Sequence, residues 1–341
     1  MAGADFPPPV PDMATLPGNW LPRLAAEICA AGGHSLFLVG PPESGADLLA
    51  ARLPGILPAL TTDEAAQVIR LHRAAGLSRA DVQSSVPPLI TIGPDTTMAE
   101  LLGGGPGLSR PGAASLAHHG VLVLHQAPEI RREVLNALRQ PVDTGWVTLA
   151  RGGLGSLTAT FPARFLLVVS ASLCPCGPAG TPPEQCQCTP AIRRRYLGRL
   201  AGPLSDRASV KARMTIASEH DRQVRSPSTA VVAGRVRAAR ERAARRLSGS
   251  PWRCNADIPA DALGAFPVDP GVLDPIDDAV AIGQVSQPGA VQVQRLAWTI
   301  ADLGGKVRPH RSDVLAALGF FRGNHDWLSQ YSMHRYFPVP R

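Results

Sequence analysis

Residues 36–53, LFLVGPPESGADLLAARL, place an apolar run, a loop with two glycines and a helix-prone segment directly after one another. This order is typical of a buried strand, a tight loop and a helix. Further apolar runs occur at residues 121–124 and 165–169, and the helical pattern of residues 130–140 lies between them. Three buried strands separated by helices predict an α/β fold, in which a parallel sheet carries helices on both faces.

The segments on either side of these strands differ in composition. The first 17 residues are rich in proline and lack periodicity, which predicts a disordered tail. A helix is predicted over residues 21–31, ahead of the first strand. Beyond about residue 228, helical patterns follow one another with no convincing strand, so we expect a second, helical domain. The predicted parts are a disordered tail at 1–17, an α/β core at 18–215, a helical C-terminal domain at 216–322 and an aromatic tail at 323–341.

The composition excludes several classes of protein. Apolar residues make up 45% of the 341 residues and charged residues 18%, which is typical of a globular chain and excludes disordered or fibrous ones. The longest apolar run, residues 165–169, is far shorter than the ~18 residues that a membrane span needs. The amino terminus lacks the basic and apolar regions of a secretory signal. We therefore expect a soluble, cytoplasmic protein with no membrane partner.

The net charge of +7 is unevenly distributed along the chain. Residues 191–250 hold 15 Lys/Arg against 4 Asp/Glu. Such a segment could bind DNA, another nucleic acid or an acidic partner, and a solvated arginine face is the alternative. Of the 34 basic residues, only Lys211 and Lys306 are lysines.

The loop after the first strand has the glycine spacing of a phosphate-binding loop but not its other residues. Such a loop needs a lysine for the β and γ phosphates and a hydroxyl for Mg²⁺. Ala46 stands at the lysine position, Asp47 at the hydroxyl position, and Glu43 adds a second carboxylate. We expect Asp47 and Glu43 to accept hydrogen bonds from the first helical turn and to repel a triphosphate. The complete candidate loop is Gly40, Pro41, Pro42, Glu43, Ser44, Gly45, Ala46 and Asp47.

Two Cys-x-Cys pairs lie in a Pro/Gly-rich loop predicted over residues 172–190. Four converging thiolates suit a tetrahedral structural Zn²⁺, while two disulfides or four reduced thiols stay open alternatives. Cys29 and Cys254 are predicted to be packing residues. The adjacent His118 and His119 are predicted to have a surface or helix-end role. The candidate zinc ligands are Cys174, Cys176, Cys186 and Cys188.

Five segments in this order resemble the magnesium-chelatase-like AAA+ ATPases, in particular the ComM/YifB branch. The similarity covers about residues 18–320, and the Lon-like domain that precedes this region in full-length members is absent from this sequence. The resemblance implies an AAA+ P-loop NTPase fold with a C-terminal helical lid, ATP and Mg²⁺ as cofactors, and a ring-forming motor. The segments are GPPESGADLLAARLPGILPAL (40–60), LLGGGPGLSRPGAASLAHHGVLVL (101–124), FPARFLLVVSASLCPCG (161–177), GPLSDR (202–207) and LAWTIADL (296–303).

Several departures from the family pattern concern catalysis. The family's Walker B Asp-Glu, which holds Mg²⁺ and activates water, is replaced by His125 and Gln126. A neutral imidazole is a poor ligand for Mg²⁺, and an amide cannot take a proton. The asparagine that senses the γ-phosphate aligns with Ser172, and the lid arginine aligns with Pro288. The family's PFRAPHH segment reads PLITIGP from residue 88. We therefore expect negligible ATP hydrolysis at this site.

Arg207 aligns with the arginine that the family projects into a neighbouring subunit's nucleotide site, where it stabilises transition-state charge. The alternative is an ordinary surface arginine that pairs with Asp206. The first hypothesis is a pseudo-ATPase that acts as a non-hydrolysing ring or adaptor subunit, assembled with itself or with a competent AAA+ relative. Two others are a diverged ATPase or DNA helicase of the ComM type, in which an arginine replaces the lysine, and a stand-alone DNA-binding module.

Overall fold

The computed structural model describes residues 10–77, 85–105, 110–151, 157–172, 174–176, 188–200 and 209–323. Its strands are β1 (Leu36–Val39), β2 (Leu89–Ile92), β3 (Gly103–Gly104), β4 (Arg110–Pro111), β5 (Val121–Leu124), β6 (Trp146–Arg151), β7 (Leu157–Pro162), β8 (Leu166–Ala171) and β9 (Val210–Arg213). Five of them form a parallel sheet in the order β2-β5-β8-β1-β9, and β3-β4 and β6-β7 form antiparallel pairs. The predicted α/β fold with a parallel sheet is confirmed.

Helices cover both faces of this sheet. They are α1 (Trp20–Gly32), α2 (Ala46–Ile56), α3 (Thr62–Ala74), α4 (Met98–Leu102), α5 (Ala113–Leu116), α6 (Arg132–Ala137), α7 (Arg139–Thr144), α8 (Pro190–Leu197), α9 (Glu219–Gln223), α10 (Thr229–Arg246), α11 (Asp274–Ala281), α12 (Gln287–Leu303) and α13 (Arg311–Arg322). Within the described ranges, no helix is long and apolar enough to cross a membrane.

The central strands β1, β5 and β8 are covered on both sides, and their alternate residues belong to different hydrophobic clusters. Val121 and Val123 of β5 pack in the cluster that contains α1, α2 and the C-terminal helices. Leu122 and Leu124 point to the other face and pack with α5 and α6. Burial on both faces explains why the central strands are continuous apolar runs rather than alternating ones.

The segment before α1 is ordered from residue 10 onward, so the predicted disordered tail is wrong for residues 10–17. Met13 and Leu16 are 1% and 2% exposed, and both belong to the main hydrophobic cluster. The backbone N–H of Met13 donates to Thr229 Oγ1 at 2.7 Å. Two apolar side chains therefore fix a proline-rich stretch that has no periodicity of its own. Residues 1–9 lie outside the described part of the chain.

The C-terminal helices share one core with the sheet. Val232 of α10, Val293 of α12 and Phe320 of α13 lie in the same cluster as Leu36 of β1 and Val210 of β9. This arrangement agrees with the predicted C-terminal helical part. The boundary predicted at residue 215 does not separate two hydrophobic cores, because both sides contribute to this cluster.

A buried polar network joins these helices to the base of the sheet. Asp302 accepts two hydrogen bonds from Arg246 at 2.6 and 2.7 Å and one from Asn255 at 2.9 Å. Asn255 also donates to Thr299 Oγ1, which lies 2.7 Å from His34 Nε2. Asp302, Asn255, Thr299 and His34 are each at most 1% exposed. A charged group at such depth needs every one of these partners.

Two buried histidines should make the stability depend on pH. Burial lowers the pKa of His34 to about 3, and burial, with a smaller effect of His119, also lowers the pKa of His118 to about 3. In the unfolded chain a histidine has a pKa near 6.5. Below about pH 6.5 the unfolded state therefore binds more protons than the folded state. We expect the free energy of unfolding to fall by about 1.4 kcal/mol per pH unit for each histidine as the pH decreases from about 6.5 toward 3.

Urea unfolding at pH 7, 6 and 5 measures this dependence. His34→Asn and His118→Asn should each reduce the slope, whereas His220→Asn, at an exposed position, is the matched control. A stability that stays constant between pH 7 and 5 would contradict the neutral state of the buried histidines.

Candidate functional site

The predicted nucleotide residues meet at the carboxyl edge of the sheet. The loop from Gly40 to Asp47 follows β1, His125 follows β5, and Ser172 follows β8. Since β8 lies between β1 and β5, the ends of these three strands are neighbours. The structure thus brings together the loop and sensor positions that the sequence singled out.

The loop is tightly held where it leaves β1. The N–H of Gly40 donates to Ala171 O at 3.1 Å, and a Cβ on Gly40 would lie 2.6 Å from Met214 Cβ, so only glycine fits. Residues Pro42–Ser44 form a 3₁₀ turn, in which the N–H of Ser44 donates to Pro41 O at 3.0 Å. A backbone donor of the candidate cradle is therefore used within the loop itself.

Asn19 connects this loop to the end of β9, a role that no sequence pattern revealed. Its backbone is left-handed, with φ of 50°, at the start of α1. Its side chain donates to Ser44 O at 3.2 Å and to Thr215 O at 2.9 Å, and it accepts from the N–H of Thr215 at 2.9 Å. These hydrogen bonds join segments about 200 residues apart in the sequence, and motif spacing cannot reveal such a tertiary contact.

The carboxylate of Asp47 does not cap its own helix as predicted. Gly45, with φ of 85°, precedes α2, and Asp47 Oδ1 instead accepts from His125 Nδ1 at 2.9 Å. Glu43 is exposed, and within the described residues neither carboxylate accepts a hydrogen bond from the first turn of α2. The prediction of self-capping is therefore wrong. Asp47 lies in the first turn of α2, where a negative charge stabilises the helix. Its carboxylate, however, forms its hydrogen bond with His125 at the end of β5.

The remaining positions that align with the family's catalytic residues were also located in the structure, where described. Gln126 has a left-handed backbone, with φ of 48°, at the turn after β5. Ser172 is hydrogen-bonded to Tyr196 of α8, and Tyr196 also contacts Glu129. Burial, together with the charge of Glu129, raises the pKa of Tyr196, so this phenol stays protonated. Pro288 lies in the first turn of α12, and Arg207 lies outside the described residues.

Neither lysine of the chain substitutes for the missing loop lysine. Lys306 Nζ lies 2.7 and 2.8 Å from the carboxylate oxygens of Asp313 in the C-terminal helices. Lys211 Nζ lies 4.8 Å from the centre of the Phe321 ring. Both ammonium groups are therefore held away from the loop. The arginine closest in strand register is Arg213, which pairs with Val39, the residue before Gly40.

Part of the basic segment 191–250 serves the fold. On α10, Arg235 donates to Glu27 at 2.6 and 2.7 Å, and Glu27 is 3% exposed. Arg246 binds Asp302, and Arg240 and Arg242 donate to backbone carbonyls. Four arginines of this helix are therefore structural, which reduces the charge that the segment can offer to a polyanion.

Three of the four candidate zinc ligands converge. The sulfur atoms of Cys174, Cys176 and Cys188 lie within 4.8 Å of one another. With Zn–S bonds of about 2.3 Å, a tetrahedral site places its sulfurs roughly 3.8 Å apart. These residues fit a zinc site, in which they would serve as thiolate ligands. Cys186 lies outside the described residues. Cys29 and Cys254 are buried and free, in agreement with packing roles.

Purified chain is expected to contain about one zinc per molecule, because soft thiolates at this spacing favour a tetrahedral ion. Elemental analysis of protein made without chelator measures the ratio. Cys188→Ser should lower the ratio strongly, and Cys254→Ala, outside the cluster, should leave it unchanged. Metal-free wild-type protein, or equal zinc in Cys188→Ser, would argue against the site.

Comparison with known proteins shows the family. Residues 12–222 match the family described as magnesium chelatase, subunit ChlI, and residues 226–321 match its C-terminal part. This chain belongs to the magnesium chelatase ChlI family. Among relatives of this ChlI-family chain, an uncharacterized protein of Mycobacterium tuberculosis, Rv2897c, is 40% identical over 312 residues, which is 91% of the chain and 61% of the relative.

Two further relatives support the ComM/YifB branch. YifB of Escherichia coli is 35% identical over 238 residues, covering 69% of the chain and 46% of YifB. The competence protein ComM of Haemophilus influenzae is 36% identical over 197 residues, covering 58% of the chain and 37% of ComM. The chain thus spans about three fifths or less of the length of these relatives.

The ChlI family implies the use of ATP and Mg²⁺, and the residues at the carboxyl edge do not fit that use. The loop offers two carboxylates and no lysine. The imidazole of His125 is hydrogen-bonded to one of those carboxylates, so neither group is arranged to hold a hard, oxygen-seeking cation.

Proposed function

We propose that this chain is a pseudo-ATPase, a non-hydrolysing subunit or adaptor of an AAA+ ring. The observation that carries this proposal is the hydrogen bond between Asp47 and His125. In a competent member of the family, these two positions hold the hydroxyl and the carboxylate that bind Mg²⁺. Here the same two positions are joined directly by this hydrogen bond.

The surrounding residues support the same conclusion. No lysine reaches the loop, because Lys306 binds Asp313 and Lys211 lies against Phe321. Gln126 replaces the carboxylate that would activate water, and an amide cannot accept a proton at neutral pH. Since phosphoryl transfer depends on positioned positive charge, the combined changes should remove hydrolysis.

A subunit of this kind can still act on a neighbour. Arg207 aligns with the arginine that stabilises transition-state charge in the next subunit, so this chain could complete the site of a lysine-bearing relative in a mixed ring. DNA association is a second part of the proposal. It is supported by the remaining charge of residues 191–250, although α10 uses four arginines internally.

The test combines this chain with a relative that retains the loop lysine. ATPase activity of the mixture should exceed the sum of the two proteins measured alone. Arg207→Ala should abolish the excess, and Arg225→Ala, an exposed arginine of the same basic segment, should preserve it. If both variants stimulate the ATPase activity equally, or if the wild-type chain does not stimulate it, Arg207 has no role in the site of a neighbouring subunit. Filter binding of DNA across salt concentrations tests the second part, since phosphate contacts weaken steeply with salt.

A diverged ATPase is the second candidate, and the position of one arginine in the sheet favours it. Arg213 lies at the carboxyl end of β9, in register with Val39 just before the loop. If its guanidinium took the place of the lysine, the chain alone would hydrolyse ATP and Arg213→Ala would stop it. Absence of activity in the wild-type chain would exclude this candidate.

A further inference from the structure

A basic pocket lies at the amino ends of β5 and β8, at the opposite edge of the sheet from the loop after β1. It is a cavity of about 580 Å³, within the usual size range of small-molecule sites. The side chains that matter here are Gln67, Arg70, His119, Trp146, Arg164 and Arg253. None of the motifs at the carboxyl edge contributes to this pocket.

The pocket carries an excess of positive charge. Arg70 and Arg164 are both exposed, and neither forms an ion pair with an acidic residue in the part of the chain that the structure describes. Arg253 binds Glu64 at 2.8 Å, and Glu64 also lies 3.6 Å from His119. Among the described residues, the lining holds three arginines and no carboxylate, and Glu64 contacts two of the lining residues without lining the cavity itself. Two guanidinium groups are thus available to an anion.

The wall that carries Arg164 and Trp146 is held in place. Gly145, with φ of 73°, lies directly before Trp146, and a Cβ there would be 2.8 Å from Arg164 Cγ. The N–H of Arg164 donates to His118 Nδ1 at 3.0 Å, and the N–H of His119 donates to Arg164 O at 2.6 Å. The guanidinium stem therefore packs on the glycine, and its backbone is fixed on both sides.

Trp146 adds an apolar surface to this charged cavity. Its indole is 46% exposed at the start of β6, although a large aromatic ring normally packs against other residues. Guanidinium groups bind phosphate oxygens in a bidentate manner, and an exposed indole offers a face for a nucleobase. Two exposed arginines beside an open aromatic ring match a ligand that carries both a phosphate and a planar base.

We propose that this basic pocket binds a nucleotide unit, with its phosphate on Arg70 and Arg164 and its base against Trp146. The unit is either a free nucleotide or part of a single strand of nucleic acid, because both present the same two groups. The proposal is independent of the pseudo-ATPase assignment and of the basic segment 191–250.

Binding measured on the full chain tests it with two probes, AMP by calorimetry and a fluorescein-labelled oligo-dT strand of about 20 nucleotides by anisotropy. The Arg70→Ala/Arg164→Ala double variant should abolish AMP binding and lower the salt slope of strand binding by about 0.7, the value for one neutralised phosphate of a single strand. Trp146→Ala should weaken binding about tenfold, the range of one stacked base. Matched controls are Arg132→Ala, an exposed arginine on α6, and Trp20→Ala, an indole that is 48% exposed.

If the pocket variants lose binding of both probes, the site for the nucleotide unit is supported. Loss of AMP binding alone indicates that the ligand is a free nucleotide, and loss of strand binding alone indicates a nucleic acid. The proposal is overturned if the wild type binds neither probe, or if the pocket variants behave like the controls. If DNA still binds through other arginines in that case, the DNA association proposed above survives while this pocket does not. Thermal unfolding of each variant verifies that the fold is retained.

Discussion

Ala46→Lys, Asp47→Thr, His125→Asp and Gln126→Glu, introduced together, are expected to raise the affinity for ATP–Mg²⁺ by at least about 100-fold. The combination supplies the charge for the phosphates, restores oxygen ligands for the ion and removes the hydrogen bond between Asp47 and His125. Each charge-assisted contact contributes about 1.5–3 kcal/mol, and two of them correspond to at least a hundredfold in affinity. Isothermal titration of ATP with Mg²⁺ into the wild type and the quadruple variant measures the difference.

Ala46→Lys alone is the informative control for this experiment. The new ammonium group would lie beside the carboxylate of Asp47, so we expect it to gain little affinity. Micromolar ATP binding by the wild type, or a quadruple variant that binds no better, would contradict the assignment of the Asp47–His125 bond as the feature that closes the site.

Asp302→Ala should have the largest effect on stability, a loss of about 3–5 kcal/mol in the free energy of unfolding. Asp302 is 1% exposed and pairs with Arg246, whose side chain is 16% exposed. Removal of the carboxylate leaves the guanidinium of Arg246 without its anionic partner, and it takes one of the two acceptors of the Asn255 amide. Urea denaturation of the wild type and the variant measures the loss.

Asp269→Ala is the matched control, because it removes an ion pair with Arg308 whose side chains are 63% and 51% exposed. That change should cost less than about 1 kcal/mol. Arg246→Met combined with Asp302→Leu should recover much of the stability that Asp302→Ala loses, since the buried charge disappears with its partner. Similar losses for Asp302→Ala and Asp269→Ala would show that the buried network contributes no more than a surface pair.

The central strands could be predicted from the sequence because they are buried on both faces. Residues 36–39 and 121–124 are β1 and β5 with the predicted bounds, and β8 begins one residue after the predicted position. The outer strands of the sheet were not predicted. Leu89–Ile92 follows two prolines and contains a threonine, and Val210–Arg213 alternates with Lys211 in a basic segment. An edge strand buries less, so its apolar signal is weaker.

Helix α3 shows a different limit. Its residues have no long apolar stripe, and its start depends on the reciprocal hydrogen bonds of Thr61 and Glu64, a capping box that was not recognised in the sequence. Helix α10 begins where the sequence predicts the first helical pattern, just beyond residue 228, because its alanines and valines repeat at helical spacing.

At the candidate site, sequence comparison identified the positions and missed their contacts. The loss of the lysine at position 46 and of the Walker B carboxylates could be read directly. The choice of Asp47 between its own helix and His125 could not, because the two residues are 78 positions apart and only the sheet order brings them together.

The buried polar network has a consequence for motion. His34 belongs to the base of the sheet, while Thr299 and Asp302 belong to α12. A swing of the C-terminal helices against the sheet would break the hydrogen bond of His34 with Thr299 and the ion pair of Glu27 on α1 with Arg235 on α10. Both changes would leave buried polar groups without partners, which is costly. In an assembly whose other members change shape during each turnover, this chain would behave as a rigid spacer and hold its neighbours at a constant angle.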